Sequence, residues 1–92
     1  ALFVDGDPMN QAVIDGKKIT DGSIVFIDSS MTHPESGEIV VSVIDGHANI
    51  KRFVRDGNMI KLLPDSSNSI HKPIYLSSDD DFFVNGKVVG VL

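Results

Sequence analysis

The stretch Glu38-Ile39-Val40-Val41-Ser42-Val43-Ile44-Asp45-Gly46-His47-Ala48-Asn49-Ile50-Lys51-Arg52-Phe53-Val54-Arg55 decides the fold. Two runs rich in β-branched residues flank an Asp-Gly pair, which accepts the positive φ angles of a two-residue hairpin loop. The pattern predicts antiparallel strands over 38–44 and 47–55. Downstream, Asp56-Gly57-Asn58 turns the chain into a strand over Met59–Leu63, and Ile74-Tyr75-Leu76 supplies a further short one. Upstream, Asp21-Gly22 leads into a strand over Ser23–Asp28, and Asp5-Gly6 and Asp15-Gly16 mark earlier turns. At the other end, Phe82–Val84 is expected to pair with Lys87–Leu92 through an Asn85-Gly86 turn. No window of helical length carries an i, i+3, i+4 apolar stripe, and Gln11–Ile14 has room for one helical turn at most. The expectation is one all-β domain over 1–92, a compact bent sheet or partial barrel with little or no helix.

Composition narrows the function classes. The 92 residues hold 8 Lys and Arg against 13 Asp and Glu, for a net charge of -5, and no Cys. Phosphate backbones are gripped by clustered Lys and Arg. Only Lys17-Lys18 and Lys51-Arg52 are adjacent here, each with acids close by, so this domain is not expected to bind nucleic acid itself. Without Cys there is neither a disulfide framework nor a thiolate metal site. No apolar run approaches the ~20 residues of a membrane span, and nothing resembles a signal peptide. No membrane partner and a cytoplasmic setting are expected.

His33, His47 and His71 lack the close spacing of a zinc site, and Asp79-Asp80-Asp81 lacks the alternation of a calcium loop. Solvated positions are expected for all of them, with no metal and no cofactor. Met9 and Met59 read as core fillers. Pro64-Asp65-Ser66-Ser67-Asn68-Ser69 reads as a surface loop, and Gly90 as a bulge or a close backbone approach. The most apolar stretch is the last one. Strand alternation puts Phe82 and Val84 on one side and Phe83 on the other, and likewise sets Val89 and Val91 against Val88 and Leu92. A two-sided apolar hairpin suits either core or a subunit interface. Phe82, Phe83, Val84, Val88, Val89 and Val91 are therefore candidate oligomerisation residues.

Several segments, in order, resemble the self-cleaving domain shared by LexA, UmuD-type mutagenesis proteins and lambdoid phage repressors. The family's Gly-Asp-Ser-Met nucleophile segment appears as Gly6-Asp7-Pro8-Met9. Its Ile-x-Asp-Gly-Asp-x-Val-x-Val-Asp pattern is similar to Ile19-Thr20-Asp21-Gly22-Ser23-Ile24-Val25-Phe26-Ile27-Asp28. Its Val-Lys-Arg-Leu, whose Lys is the general base, matches Ile50-Lys51-Arg52-Phe53. Leu62-Leu63-Pro64, Lys72-Pro73-Ile74 and Gly86-Lys87-Val88-Val89-Gly90-Val91 resemble the closing segments, so the likeness covers essentially the whole chain.

The departure is at Pro8. A Ser-Lys peptidase needs a hydroxyl whose proton passes to a neutral, desolvated Lys. Proline has no hydroxyl and no backbone N–H, so both the nucleophile and any donor from that amide are lost. Ser23, Ser29 and Ser30 lie in other elements. Pro8 and Lys51 are thus vestigial family positions, with no catalytic residue expected. On its strand Lys51 shares a face with Asn49 and Phe53; it points either toward the former cleft or, as an ordinary strand Lys, along apolar surface.

The resemblance implies a phage-type repressor's C-terminal domain that forms homodimers or larger oligomers and supports cooperative operator binding. DNA would be reached only through an N-terminal domain absent from this chain, which begins at Ala1 without Met and reads as a fragment. Two alternatives stay open. One is a residual Ser-Lys peptidase using a displaced serine with Lys51. The other is a protein-binding domain in which a regulator such as an antirepressor occupies the vacated cleft.

Overall fold

The computed structural model describes residues 2–44, 47–77 and 82–92. Nine strands form, and no helix occurs among the described residues. They are β1 (Leu2–Phe3), β2 (Val13–Ile14), β3 (Lys17–Lys18), β4 (Ile24–Asp28), β5 (Ile39–Ile44), β6 (His47–Asp56), β7 (Met59–Leu63), β8 (Ile74–Leu76) and β9 (Phe82–Val91). Seven of them make one antiparallel sheet in the order β1-β4-β9-β5-β6-β7-β8, and β2-β3 is a separate ribbon. The all-β bent sheet expected from the turn spacing is what forms.

The β5–β6 hairpin has Ile44 opposite His47, as the quoted stretch requires, while Asp45-Gly46 itself lies outside the described residues. Asp15 (φ 50°) and Gly16 (φ 81°) are successive left-handed residues that close the β2–β3 hairpin. That conformation is the I′-type turn whose twist matches its flanking strands. Gln11–Ile14 accordingly makes no helical turn. Val13 and Ile14 are drawn into the ribbon, and residues 8–11 form a non-helical turn.

The expected terminal hairpin does not form. Phe82–Val91 is one continuous strand inserted between β4 and β5, and Asn85-Gly86 is strand interior. Gly86 is required there for closeness of approach. A Cβ at this position would lie 2.6 Å from Ile27 Cγ2 and 2.7 Å from the Asp28 carbonyl oxygen. Next to it Asn85 is the extra residue of a bulge against β5, since Val41 faces Gly86 and Ser42 faces Val84. A second bulge, at Val89, follows from Ile27 facing Val88 and Phe26 facing Gly90. This slip puts Val88 and Val91 against the same core, correcting the alternation expected from sequence. Gly90 therefore adjoins a bulge, and a Cβ there would meet only ordinary contact, 3.5 Å from Phe26 Cδ2.

Two apolar clusters form on the two faces of the sheet. In β5, Ile39 and Val41 enter the first cluster, with Val4, Met9, Ala12, Ile19, Val25, Ile50 and Val88, beneath the 2–19 segment. Val40, between them, enters the second with Phe53, Leu62 and Leu76, against which Ile44, Phe82 and Val84 also pack. A central strand buried on both faces needs apolar residues on both, which accounts for the two-sided pattern of β9. Met9 is fully buried, as expected; Met59 is 40% exposed and fills no core.

Candidate functional site

The Gly6–Met9 turn is built by bonds to distant segments. The Val4 amide donates to Ser23 O, the Gly22 amide to Val4 O, and the Gly6 amide to Asp21 Oδ1 at 2.9 Å, so the Asp21-Gly22 turn fixes its entry. Beyond Gly6 the partner is the 65–71 loop. The Asp65 amide donates to Pro8 O at 3.0 Å and the Gln11 amide to Asp65 O at 2.8 Å. Ser66 Oγ donates to Asp7 O. Asn10 and Ser67 bond reciprocally, Asn10 Nδ2 to Ser67 Oγ and the Ser67 amide to Asn10 Oδ1. Around the Asp7 carboxylate gather His71 Nε2 and Asn68 Nδ2. Hydrogen bonding from His71, foremost, holds this carboxyl below the usual aspartate range.

Two sequence expectations are corrected by this cluster. His71 is not a solvated side chain but the half-buried partner of Asp7. The 64–69 loop is largely half-buried against the turn, because its short polar side chains satisfy backbone and side-chain groups of residues 7–11. Neither was readable from sequence, since the partners are 54 to 64 positions apart.

Pro8, the residue that the resemblance aligns with the nucleophile, is buried at this turn. Lys51, the aligned base, faces Val40 across β5–β6 and so shares the second-cluster face with Phe53. It is 7% exposed, and burial lowers its amine below the ordinary lysine value. No hydrogen bond or ion pair joins Lys51 to the turn among the described residues. The two segments are tied through the next residue, Arg52, which donates to Gly37 O at 2.8 Å and pairs with Asp65 Oδ2 at 3.2 Å. A cavity of about 150 Å³ between Leu2–Asp5 and Asn49-Ile50 adjoins Lys51 in sequence.

The serines weighed as stand-ins are placed elsewhere. Ser23 Oγ accepts from the Thr20 amide, and Ser30 Oγ donates to Asp28 Oδ1. The serine brought near Lys51 is one that sequence reasoning missed. Ser42 lies directly opposite Asn49, hence diagonally across from Lys51 on one face. Counting back across the hairpin from Lys51 would have found it. Its hydroxyl has no hydrogen-bond partner among the described residues and is 0% exposed, closed to any peptide substrate.

Lys87 of β9 pairs with Glu38, the residue before β5. The Glu35 amide, and then Lys87, hold the Glu38 carboxyl below its ordinary value, and Glu38 raises the Lys87 amine. His33 is exposed, as expected, whereas Asp79–Asp81 and the His47 side chain lie outside the described residues. Among the described residues no three His, Asp or Glu side chains are grouped to hold a metal.

The six candidate oligomerisation residues separate by environment. Val88 lies in the first cluster with Val91 packed on it, and Phe82 and Val84 pack on the second. Phe83 and Val89 are exposed. An unanticipated apolar patch lies at the β1–β4–β9 end. The register sets Phe3 opposite Ile24, places Phe26 two residues along, and brings the Leu92 amide to Ile24 O. Phe3, Phe26 and Leu92 are all exposed on that shared face, while Leu2, Val25 and Val91 turn into the core.

The bent antiparallel sheet, with the Gly6–Met9 turn docked on it and Lys51 on its central hairpin, makes an all-β domain. The chain belongs to the Peptidase S24-like family, whose model matches residues 1–89. It is 37% identical to LexA repressor 1 of Xanthomonas campestris pv. campestris, over 99% of this chain and 41% of that protein. It is 34% identical to the LexA repressor of Oleidesulfovibrio alaskensis, over 98% of this chain and 40% of that protein. With the LexA repressor of Streptomyces coelicolor it shares 40% identity, over 99% of this chain and 34% of that one. The chain therefore spans about two fifths or less of the length of these relatives.

Proposed function

We propose that this chain is the assembly domain of a transcriptional repressor that has lost self-cleavage. The observation that carries the reading is the docked Gly6–Met9 turn with Pro8 at the nucleophile position. Proline at that position supplies neither hydroxyl nor N–H. Lys51 is left buried, with no hydrogen bond or ion pair among the described residues. On this reading the domain serves a purpose other than self-cleavage.

That purpose is homotypic association, through the face bearing Phe3, Phe26 and Leu92. Large apolar side chains exposed together on neighbouring strands are what a subunit interface covers. DNA would be reached through an N-terminal domain of a longer protein, consistent with the greater length of the repressors that the chain resembles. A dimer then presents two DNA-binding domains at once, so the second engages at high effective concentration. Sedimentation equilibrium over a wide concentration range tests this reading. Closed dimers or larger species are expected, and a strict monomer at high concentration would refute it.

A residual peptidase is the second reading, favoured by the lowered proton affinity of the Lys51 amine. Incubation of the parent protein at alkaline pH decides it. Specific cleavage that is abolished by Lys51→Ala would establish it in place of the first.

A further inference from the structure

The cleft left vacant in sequence is closed in the fold, since Pro8, Lys51 and Ser42 are all buried. A different cavity, of about 360 Å³, opens between β6, the start of β9 and the 32–34 segment. We propose that it binds a peptide carrying a carboxylate next to an aromatic or aliphatic side chain, as a regulatory protein would present. This site does not depend on the assembly reading and involves none of its interface residues.

The lining fits that chemistry. Phe53, Phe82 and Val84, on one face of the sheet, provide apolar walls, with Phe83, Arg55 and His33 also in the lining. Thirteen acids outnumber eight bases in the chain, yet among the described residues no Asp or Glu lines this cavity. Arg52, Lys61 and Lys87 are engaged by Asp65, Asp56 and Glu38, whereas Arg55, like Lys17, Lys18, Lys51 and Lys72, has no ion pair among the described residues. Its guanidinium lies instead 5.7 Å from the Phe53 ring centroid. That stacking holds the side chain in place and leaves its N–H donors free for a planar, bidentate acceptor such as a carboxylate. The ring and the Phe82–Val84 wall then offer burial to the neighbouring side chain of the ligand. The volume is at the low end of the ~300–1,000 Å³ of small-ligand sites, a size for one or two residues rather than a folded surface. An inorganic phosphate would use Arg55 but leave the apolar walls unfilled.

The test is titration of the ¹⁵N-labelled chain with N-acetyl-Asp-Phe-amide, with N-acetyl-Asn-Phe-amide as the uncharged control. Shifts confined to 32–33, 53–55 and 82–84 are expected, with the Asn peptide about tenfold weaker. Arg55→Gln, at an exposed position, should remove the preference for Asp over Asn while leaving the rest of the spectrum unchanged. Equal affinity for the two peptides, shifts elsewhere, or no shifts would overturn the proposal. So would shifts that follow protein rather than peptide concentration, which would put a second copy in the cavity. Binding seen only after Asp79, Asp80 and Asp81 are changed to Asn would likewise overturn it, by assigning the cavity to the chain's own carboxylates.

Discussion

His71 reaches back 64 residues to bond the carboxylate of Asp7, the residue immediately before Pro8. The bond joins the Gly6–Met9 turn to the 65–71 loop, so its strength should be readable in the acid stability of the domain. Asp7 has a folded-state proton affinity below that of the unfolded chain. Its contribution is therefore fully present above the unfolded value of 3.8 and is lost as pH falls through the lower folded value. Urea midpoints of the wild type and Asp7→Asn should differ at neutral pH and converge at strongly acid pH. A constant difference across that range would assign the effect of the substitution to packing alone.

Gly86 and Gly90 both lie in β9 but should respond oppositely to a methyl group. At Gly86 the added carbon would lie 2.6 Å from Ile27 and 2.7 Å from a backbone oxygen that cannot swing away. Gly86→Ala should destabilise by about 1–3 kcal/mol, the range for overpacking. At Gly90 the nearest atom is 3.5 Å away, and replacing a mid-strand glycine removes unfolded-state entropy. Gly90→Ala should be neutral or stabilising by a few tenths of a kcal/mol. Chemical denaturation of the two variants checks the pair.

Lys51 should be replaceable with gain. Its amine is desolvated without a compensating partner among the described residues, so Lys51→Met is expected to stabilise by roughly 1 kcal/mol at neutral pH. The sign of the pH dependence follows from the lowered folded-state proton affinity. The penalty for burying the charge is complete below that folded value and disappears as pH rises toward the unfolded 10.5. The advantage of Met should therefore shrink with increasing pH. Melting curves at neutral and alkaline pH measure it, and loss of stability on substitution would mean that the amine has a partner contributing to the fold.

Phe26→Asp tests the assembly face. Phe26 is 43% exposed with Phe3 and Leu92 on its side, so a charge there should weaken self-association by at least tenfold without unfolding the chain. Phe83→Asp, on another part of β9, should leave association intact. Sedimentation of the two variants compares them directly, and the reverse pattern would move the interface to the Phe83 side.

The local elements are legible in the sequence because their determinants are local. Asp-Gly pairs announce the turns at 15–16, 21–22 and 56–57, and alternation marks β4 to β8 within a residue or two of their observed ends. The same local rule misreads Asn85-Gly86. An Asn-Gly pair is a turn signal only when its glycine is free to take a positive φ. At Gly86 the approach of Ile27 and Asp28, nearly sixty residues earlier, demands an absent side chain in extended backbone. Nothing local distinguishes those two uses of glycine.

What the sequence by itself determined is the class of fold, the family, and the lack of a nucleophile at Pro8, since each rests on residue identity or on short-range pattern. Only the tertiary structure decided that the last strand lies in the middle of the sheet, between β4 and β5. That placement buries most of an apolar stretch that otherwise suits an interface, and it turns Phe3, Phe26 and Leu92 outward instead. Likewise the Asp7–His71 bond and the placing of Ser42 beside Lys51 come from strand order and register. The physical reason is common to all of these. Turns and strands are favoured by neighbours in the chain, whereas burial and partner choice depend on which distant segment the sheet places alongside.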